Sequence, residues 1–272
     1  MELYLITGFL GAGKTTFLKN FARQFAGRRL RLIINEFGRV GVDGTLLREL
    51  DAALDEISNG SIFCACRLDQ FEAALEQAAA DAPDVALVEA SGLADPTNVR
   101  RVLAQFPAVS YQGSVCVADA ARLEKVFSTA RACPRQLAVS SLVLLNKTDL
   151  ATEAQCAEAK ALILRANPAA RIRRTQFGRF EPEWLSLIVP DVDVDEVLDM
   201  PDITLQKAVL QIRPTMPFAA LQKCLVQLAG ETWRIKGFVR VPEGIFYVDC
   251  TGPEVRLTPW QGEADNRLVL LA

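Results

Sequence analysis

The chain has 272 residues, 30 Lys plus Arg against 33 Asp plus Glu, a net charge of −3, and 50% hydrophobic residues. That length supports a large domain with a second small one, and the composition excludes a disordered, collagenous or disulfide-stapled chain. The balanced charge gives no global drive toward nucleic acid or an anionic membrane, so neither is expected as a partner and any phosphate binding must be local. Seven cysteines, an odd number and no leading signal segment, point to free thiols and a cytoplasmic location. No apolar run reaches the roughly 18 to 20 residues of a membrane-spanning helix. Histidine is absent, which removes imidazole both as a base and as a ligand, so any metal must be held by Cys, Asp or Glu.

In chain order, Leu3–Thr7, Leu30–Asn35, Val85–Glu89, Ser114–Asp119 and Leu142–Asn146 are short apolar runs expected to form strands. Between them, Phe17, Leu18, Phe21 and Phe25 recur at helical spacing. So do Leu46, Leu47, Leu50 and Leu54, and then Leu68, Phe71, Leu75 and Ala79. This alternation predicts an α/β fold with a mainly parallel sheet. From Glu181 to Asp202 the texture turns to prolines and acidic residues, which reads as a linker with a domain boundary near Asp199. Beyond it, Leu205–Ile212, a helical stretch 217–228, and the runs Arg234–Val241, Ile245–Cys250 and Arg267–Leu271 predict a small C-terminal α+β domain.

Gly8-Phe9-Leu10-Gly11-Ala12-Gly13-Lys14-Thr15 fits G-x-x-x-x-G-K-[ST] between a strand and an amphipathic helix, the context that a P-loop NTPase requires. Gly8, Gly11, Ala12 and Gly13 supply backbone amides that form an anion nest, and the following helix aims its N-terminus at the phosphates. Lys14 neutralises the β- and γ-phosphates, Thr15 offers its hydroxyl to Mg²⁺, and Thr16 adds an α-phosphate contact. Asn146-Lys147-Thr148-Asp149 leaves the strand 142–146 at its carboxyl end, where α/β sheets bind ligands. The Asp149 carboxylate can accept from both N1–H and the exocyclic amine of guanine, a donor pair that adenine lacks, so GTP and GDP are the expected nucleotides. Taken alone, that tetrapeptide is also a good turn and helix cap.

Glu89-Ala90-Ser91-Gly92 ends the strand 85–89. Glu89 is placed to hold an Mg²⁺-bound water, and Gly92 to donate its amide to the γ-phosphate. Residues 93–97 are then a candidate switch that responds to that phosphate. Asn35-Glu36-Phe37-Gly38 with Asp43 is a second candidate, in which Glu36 and Asp43 either serve the metal or attacking water or are solvated loop carboxylates. With no histidine and no evident glutamine as base, hydrolysis is expected to be slow.

Together these residues resemble the CobW-like GTPases, a family of P-loop metallochaperones and cofactor-insertion proteins. The resemblance is carried by residues 7–16, Asn35-Glu36-Phe37-Gly38 with 41–43, 56–60, Glu89-Ala90-Ser91-Gly92-Leu93-Ala94-Asp95-Pro96, Asn146-Lys147-Thr148-Asp149 and Arg234-Ile235-Lys236-Gly237. It implies GTP-dependent delivery of a metal or cofactor to a client metalloenzyme, with Asn167 and Pro168 near the guanine. The family follows Asn-Gly with Cys-x-Cys-Cys, whereas this chain reads Asn59-Gly60-Ser61-Ile62-Phe63-Cys64-Ala65-Cys66-Arg67. Cys64 and Cys66 remain as a displaced pair for Zn²⁺ or Co²⁺, with Glu36 as a third ligand, short of the four that a closed zinc site takes. Arg67 favours thiolates but repels a divalent cation. The other reading makes both cysteines small buried apolar residues, and the remaining five are read as core. No His-rich tail is present.

The expected organisation is a P-loop GTPase domain at 1–199 and a CobW-type domain at 200–272, acting as a monomer or homodimer. Two further readings stand beside the metallochaperone. One is a nucleotide-gated module that assists a partner without carrying metal. The other is a P-loop kinase, which would form a phosphorylated product other than inorganic phosphate.

Overall fold

Strands that are apolar on both faces are stable only between two helical layers, and the first two-thirds of the chain builds that arrangement. The structure, a computed structural model, describes residues 1–35, 52–57, 68–190, 207–251 and 254–271. Contacts divide the chain into two compact units, 1–202 and 203–272. In the first, β1 (Glu2–Thr7), β2 (Leu30–Asn35), β3 (Ala52–Ile57), β4 (Val85–Glu89), β5 (Ser110–Asp119), β6 (Leu142–Asn146) and β7 (Arg171–Arg174) form one sheet in the order β3-β2-β4-β1-β5-β6-β7. All pairs are parallel, with Ile6 opposite Glu89 and Asp119 opposite Asn146. The carboxyl ends of β1, β4, β5 and β6 therefore meet along one edge.

Alternation along each strand splits the core in two. Tyr4 and Ile6 face α1 (Lys14–Ala22), whose Phe17, Leu18 and Phe21 are fully buried, while Leu3 and Leu5 face α2 (Leu68–Asp81) and α3 (Val99–Leu103). The predicted stripe of α1 is thus its buried face, and Phe25 continues it in a short 3₁₀ turn. Tyr4, Phe17, Phe21, Phe25 and Phe180 are neighbours with ring centroids 4.9–5.9 Å apart. Among the described residues the unit carries three further helices, α4 (Leu123–Thr129), α5 (Ala132–Ala138) and α6 (Glu153–Ala166), the last opened by a Thr152–Gln155 capping box.

Leu54 is not on a helix. It lies in β3, paired with Leu32, and Arg31 on β2 locks that edge through two bonds to Asp55, at 2.6 and 2.9 Å, and an ion pair with Asp81 on α2. Leu46, Leu47 and Leu50 lie outside the described residues, as do Glu36, Asp43, Cys64 and Cys66. β7 went unread because Arg-Ile-Arg-Arg has no apolar run; it is a strand because Leu142–Leu145 offer it a free edge.

The linker expected from Glu181 begins instead as part of the first unit. Phe180 and Ile188 are buried, and a 3₁₀ turn, Pro182–Leu187, lays Trp184, Leu185 and Leu187 on the α1 side of the core. The Val189 amide donates to Ser141 Oγ at 3.0 Å. Prolines and carboxylates masked an apolar strap whose partner surface exists only after folding.

The second unit pairs β8 (Lys207–Gln211), β9 (Arg234–Val241), β10 (Gly244–Thr251), β11 (Glu254–Pro259) and β12 (Arg267–Leu271) in the order β11-β10-β9-β12-β8, every pair antiparallel. Leu221, Leu225 and Ala229 of α7 (Phe218–Glu231) bury one face with Ile235, Val239, Val248 and Leu268. β11 went unread, since its burial alternates between half-buried and exposed at a sheet edge. Among the described residues no helix is long and apolar enough to cross a membrane.

Candidate functional site

The β1–α1 junction turns through three glycines at positive φ: Gly8 at 134°, Gly11 at 74° and Gly13 at 102°. At Gly13 the requirement is also steric, because a Cβ there would lie 2.5 Å from Asn146 Nδ2. Helix α1 begins at Lys14, so its first unpaired amides open into this loop. Lys14 is 8% exposed, and its ammonium donates to the Phe9 carbonyl at 3.2 Å, across the mouth of the turn. Thr15 Oγ donates to Glu89 Oε1 at 3.3 Å, and Glu89 is 4% exposed. A hydroxyl and a buried carboxylate thus converge beside a lysine. These are hard oxygen donors next to an anion nest, and that donor set fits Mg²⁺. Ala12 is buried and Thr16 exposed in the same turn.

Gly92 sits directly against this loop, where a Cβ would meet the Leu10 amide nitrogen at 2.7 Å. The segment it opens is anchored from α5. Buried Gln136 donates to the carbonyls of Gly92 at 3.2 Å and Ala94 at 2.9 Å, and Arg135 pairs with Asp95. The expected switch 93–97 is therefore tied at one side to the phosphate loop and at the other to a helix.

The carboxyl end of β6 is organised by Asn146, which is 2% exposed. Its Nδ2 donates to the Ala12 carbonyl at 2.9 Å, and its Oδ1 accepts from the Gly178 amide at 3.0 Å. One side chain thereby joins the phosphate loop, the end of β6 and the loop after β7. Lys147 has a left-handed backbone, φ 58°, and its ammonium lies 3.1 Å from buried Asp119 at the end of β5. Asp149, in the short turn Thr148–Leu150, is exposed. Thr148 ties that turn down by donating from its amide and hydroxyl to the Thr175 carbonyl, at 3.3 and 3.1 Å.

Loop 175–178 is the part that sequence reasoning missed. Gly178 is at φ 62°, with the α1 backbone against it, and Asn20 on α1 donates to the carbonyls of Phe177 and Gly178. Phe177 is 64% exposed. Gln-Phe-Gly is a turn signal, yet it points to a site only once β7 is recognised as a strand.

Asn167 is corrected. It caps the C-terminus of α6, and its Nδ2 donates to the carbonyls of Leu137, Ala138 and Ser140. That places it at the start of β6, the opposite end from Asn146, with its amide spent on holding the end of α5. The described cysteines Cys116, Cys133, Cys156, Cys224 and Cys250 are free. Burial pushes the Cys116 thiol up to about 12 and raises Cys133 as well, so both are protonated neighbours of the phosphate loop and not thiolates. Among the described residues there is no group of three or more Cys, Asp or Glu placed to hold a metal ion.

Removing the Asn146 side chain orphans a buried carbonyl and a buried amide, each worth about 1–3 kcal/mol. Asn146→Ala is therefore expected to lose about 2–6 kcal/mol of stability, read as a lower urea midpoint. An unchanged midpoint would show that the three loops do not depend on this bridge.

The model of the CobW/HypB/UreG nucleotide-binding domain matches residues 2–174, more than half of the chain. This chain belongs to that family. Among its relatives, the zinc chaperone CobW of Pseudomonas aeruginosa is 32% identical over 62% of this chain and 55% of its own length. The zinc chaperone YjiA of Escherichia coli is 26% identical over 79% of this chain and 66% of its own. The matched stretch thus spans between half and two-thirds of those family members. The crystal structure of Zn(II)-bound YjiA GTPase from Escherichia coli superposes with a TM-score of 0.53 at 19% identity, covering 100% of this chain and 93% of that one. At that identity the likeness is one of fold: a mainly parallel α/β unit followed by an antiparallel one.

Proposed function

We propose that this protein is a GTP-dependent metallochaperone that binds GTP with Mg²⁺, hydrolyses it slowly, and uses the change to engage and release a client metalloenzyme. The observation that carries the reading is that one sheet edge places an anion cradle with Lys14, a Thr15–Glu89 oxygen pair and an exposed Asp149 on loops joined by Asn146. The amides of residues 8–16 hold the phosphates, Lys14 balances their charge, and Asp149 selects guanine. Thr15, with Glu89 through a water, would hold Mg²⁺, which when bound neutralises charge on the β- and γ-phosphates. Glu36 and Asp43 are assigned to the attacking water. Gly92 senses the γ-phosphate and passes its presence to α5 through Gln136 and Arg135. We assign residues 1–199 to the GTPase domain and 200–272 to the CobW-type domain, acting in the cytoplasm as a monomer or homodimer.

The cargo follows from the relatives, which are named zinc chaperones. Zn²⁺, or Co²⁺ in its place, is assigned to Cys64 and Cys66. Equilibrium dialysis of the full chain with a non-hydrolysable GTP analogue is expected to retain one Zn²⁺ per chain, lost in Cys64→Ala plus Cys66→Ala. Ser61 and Phe63, which stand where two further thiolates would be, favour a second reading, a nucleotide-gated module that carries no metal. Guanine binding without any retained Zn²⁺ would select that module over the chaperone.

A further inference from the structure

Lys147 is restrained at both ends. Its backbone is left-handed, at φ 58°, a conformation in which a lysine is strained. Its ammonium lies 3.1 Å from Asp119 Oδ2, in a pair whose side chains are 22% and 10% exposed. Asp119 ends β5 directly opposite Asn146 at the end of β6. The carboxylate is itself fixed, since its Oδ1 accepts from the Ala121 amide at 3.1 Å, and the Ala120 amide donates to the Asn146 carbonyl at 2.9 Å. An ion pair this buried adds little net stability once desolvation of both charges is counted. What it sets is geometry. Asn146 before the lysine and Thr148 after it hold the backbone, and Asp119 holds the ammonium, so the methylene stem is stretched from the end of β6 to the end of β5, beside the turn that carries Asp149.

We propose that Asp119 is a positioning residue of the base site: by anchoring the Lys147 ammonium it lays that stem as an apolar wall against one face of the purine whose edge Asp149 reads. The proposal rests on the reading of Asp149 as the guanine-binding carboxylate. A lysine stem is apolar although its head is charged. Untethered, it would sample many rotamers, and packing a base on it would cost their loss at each binding event. The anchor removes that cost before the nucleotide arrives. A role through Arg122, whose guanidinium also feels the Asp119 charge, is the alternative that a double variant separates.

The test is titration calorimetry of the full chain with GTP·Mg²⁺ and ITP·Mg²⁺, whose bases differ only in the 2-amino group, on the edge and not the face. Asp119→Asn keeps the shape and the Ala121 contact and drops the charge. It is expected to weaken both nucleotides by the same factor, about five-fold or more, and to leave their ratio unchanged, whereas Asp149→Asn shifts the ratio. Lys147→Met keeps an apolar stem without its anchor and should cost as much; it reads the same quantity if Asp119→Asn does not fold. The double variant should bind no more weakly than either single one, because Asp119 acts only through the lysine. Losses that multiply in the double variant, as a role through Arg122 would give, a shifted GTP to ITP ratio, or single variants that bind as the parent does would each overturn the proposal. If Asp149→Asn still weakens GTP in those cases, the guanine reading stands. Asp149→Asn binding GTP as the parent does would remove that reading and this proposal together.

Discussion

Lys14→Ala is expected to lose GTP and GDP binding while the chain stays folded. Its ammonium donates to the Phe9 carbonyl across the turn. Truncating one member of a buried, hydrogen-bonded charge pair costs about 2–5 kcal/mol, and with 1.4 kcal/mol per tenfold the dissociation constant should rise roughly 30-fold to several thousand-fold. Folding should survive, because the turn is held by Asn146 on Ala12 and by Gly92 packing on Leu10, neither of which involves the lysine. Titration calorimetry with GTP·Mg²⁺ measures the first quantity and a thermal melt the second. Undiminished affinity in a folded variant would place the phosphates elsewhere.

Asp149→Asn is expected to invert the base preference. A carboxylate accepts from both N1–H and the 2-amino group of guanine, each such charged hydrogen bond contributing about 1.5–3 kcal/mol. The amide keeps one acceptor and turns a donor against a donor, so loss of that one bond should lower GTP affinity roughly 10- to 140-fold. Xanthine carries a carbonyl where guanine has the amine, so XTP should gain over the parent chain. Asp149 is exposed, and its turn is anchored through Thr148 on the Thr175 carbonyl, so stability should not change. Competition of GTP, XTP and ATP against a fluorescent GTP analogue reads all three. GTP binding equal to that of the parent would remove Asp149 from the base pocket.

Signals that act within a few residues were legible. The glycine turn, the amphipathic face of α1 and the exits of β4 and β6 are local consequences of backbone freedom and apolar spacing, and β2, β4 and β6 begin and end where the residues indicate. Asn146 was readable as a motif member, but its hydrogen bonds to Ala12 and Gly178 are not local. Asn167 shows the converse. Its place in a resemblance put it near the guanine, while its amide closes the far end of β6 on three carbonyls.

By itself, the order of residues determined that this chain makes a parallel α/β unit with a phosphate turn, followed by a small α+β unit, because turn chemistry and hydrophobic period are written within each segment. Tertiary structure alone decided that Leu54 pairs in a strand, that Phe180 and Trp184 strap the core, and that Gln136 grips the Gly92 segment. Each of these depends on partners far apart in the chain, and no window of neighbouring residues contains both members of such a contact.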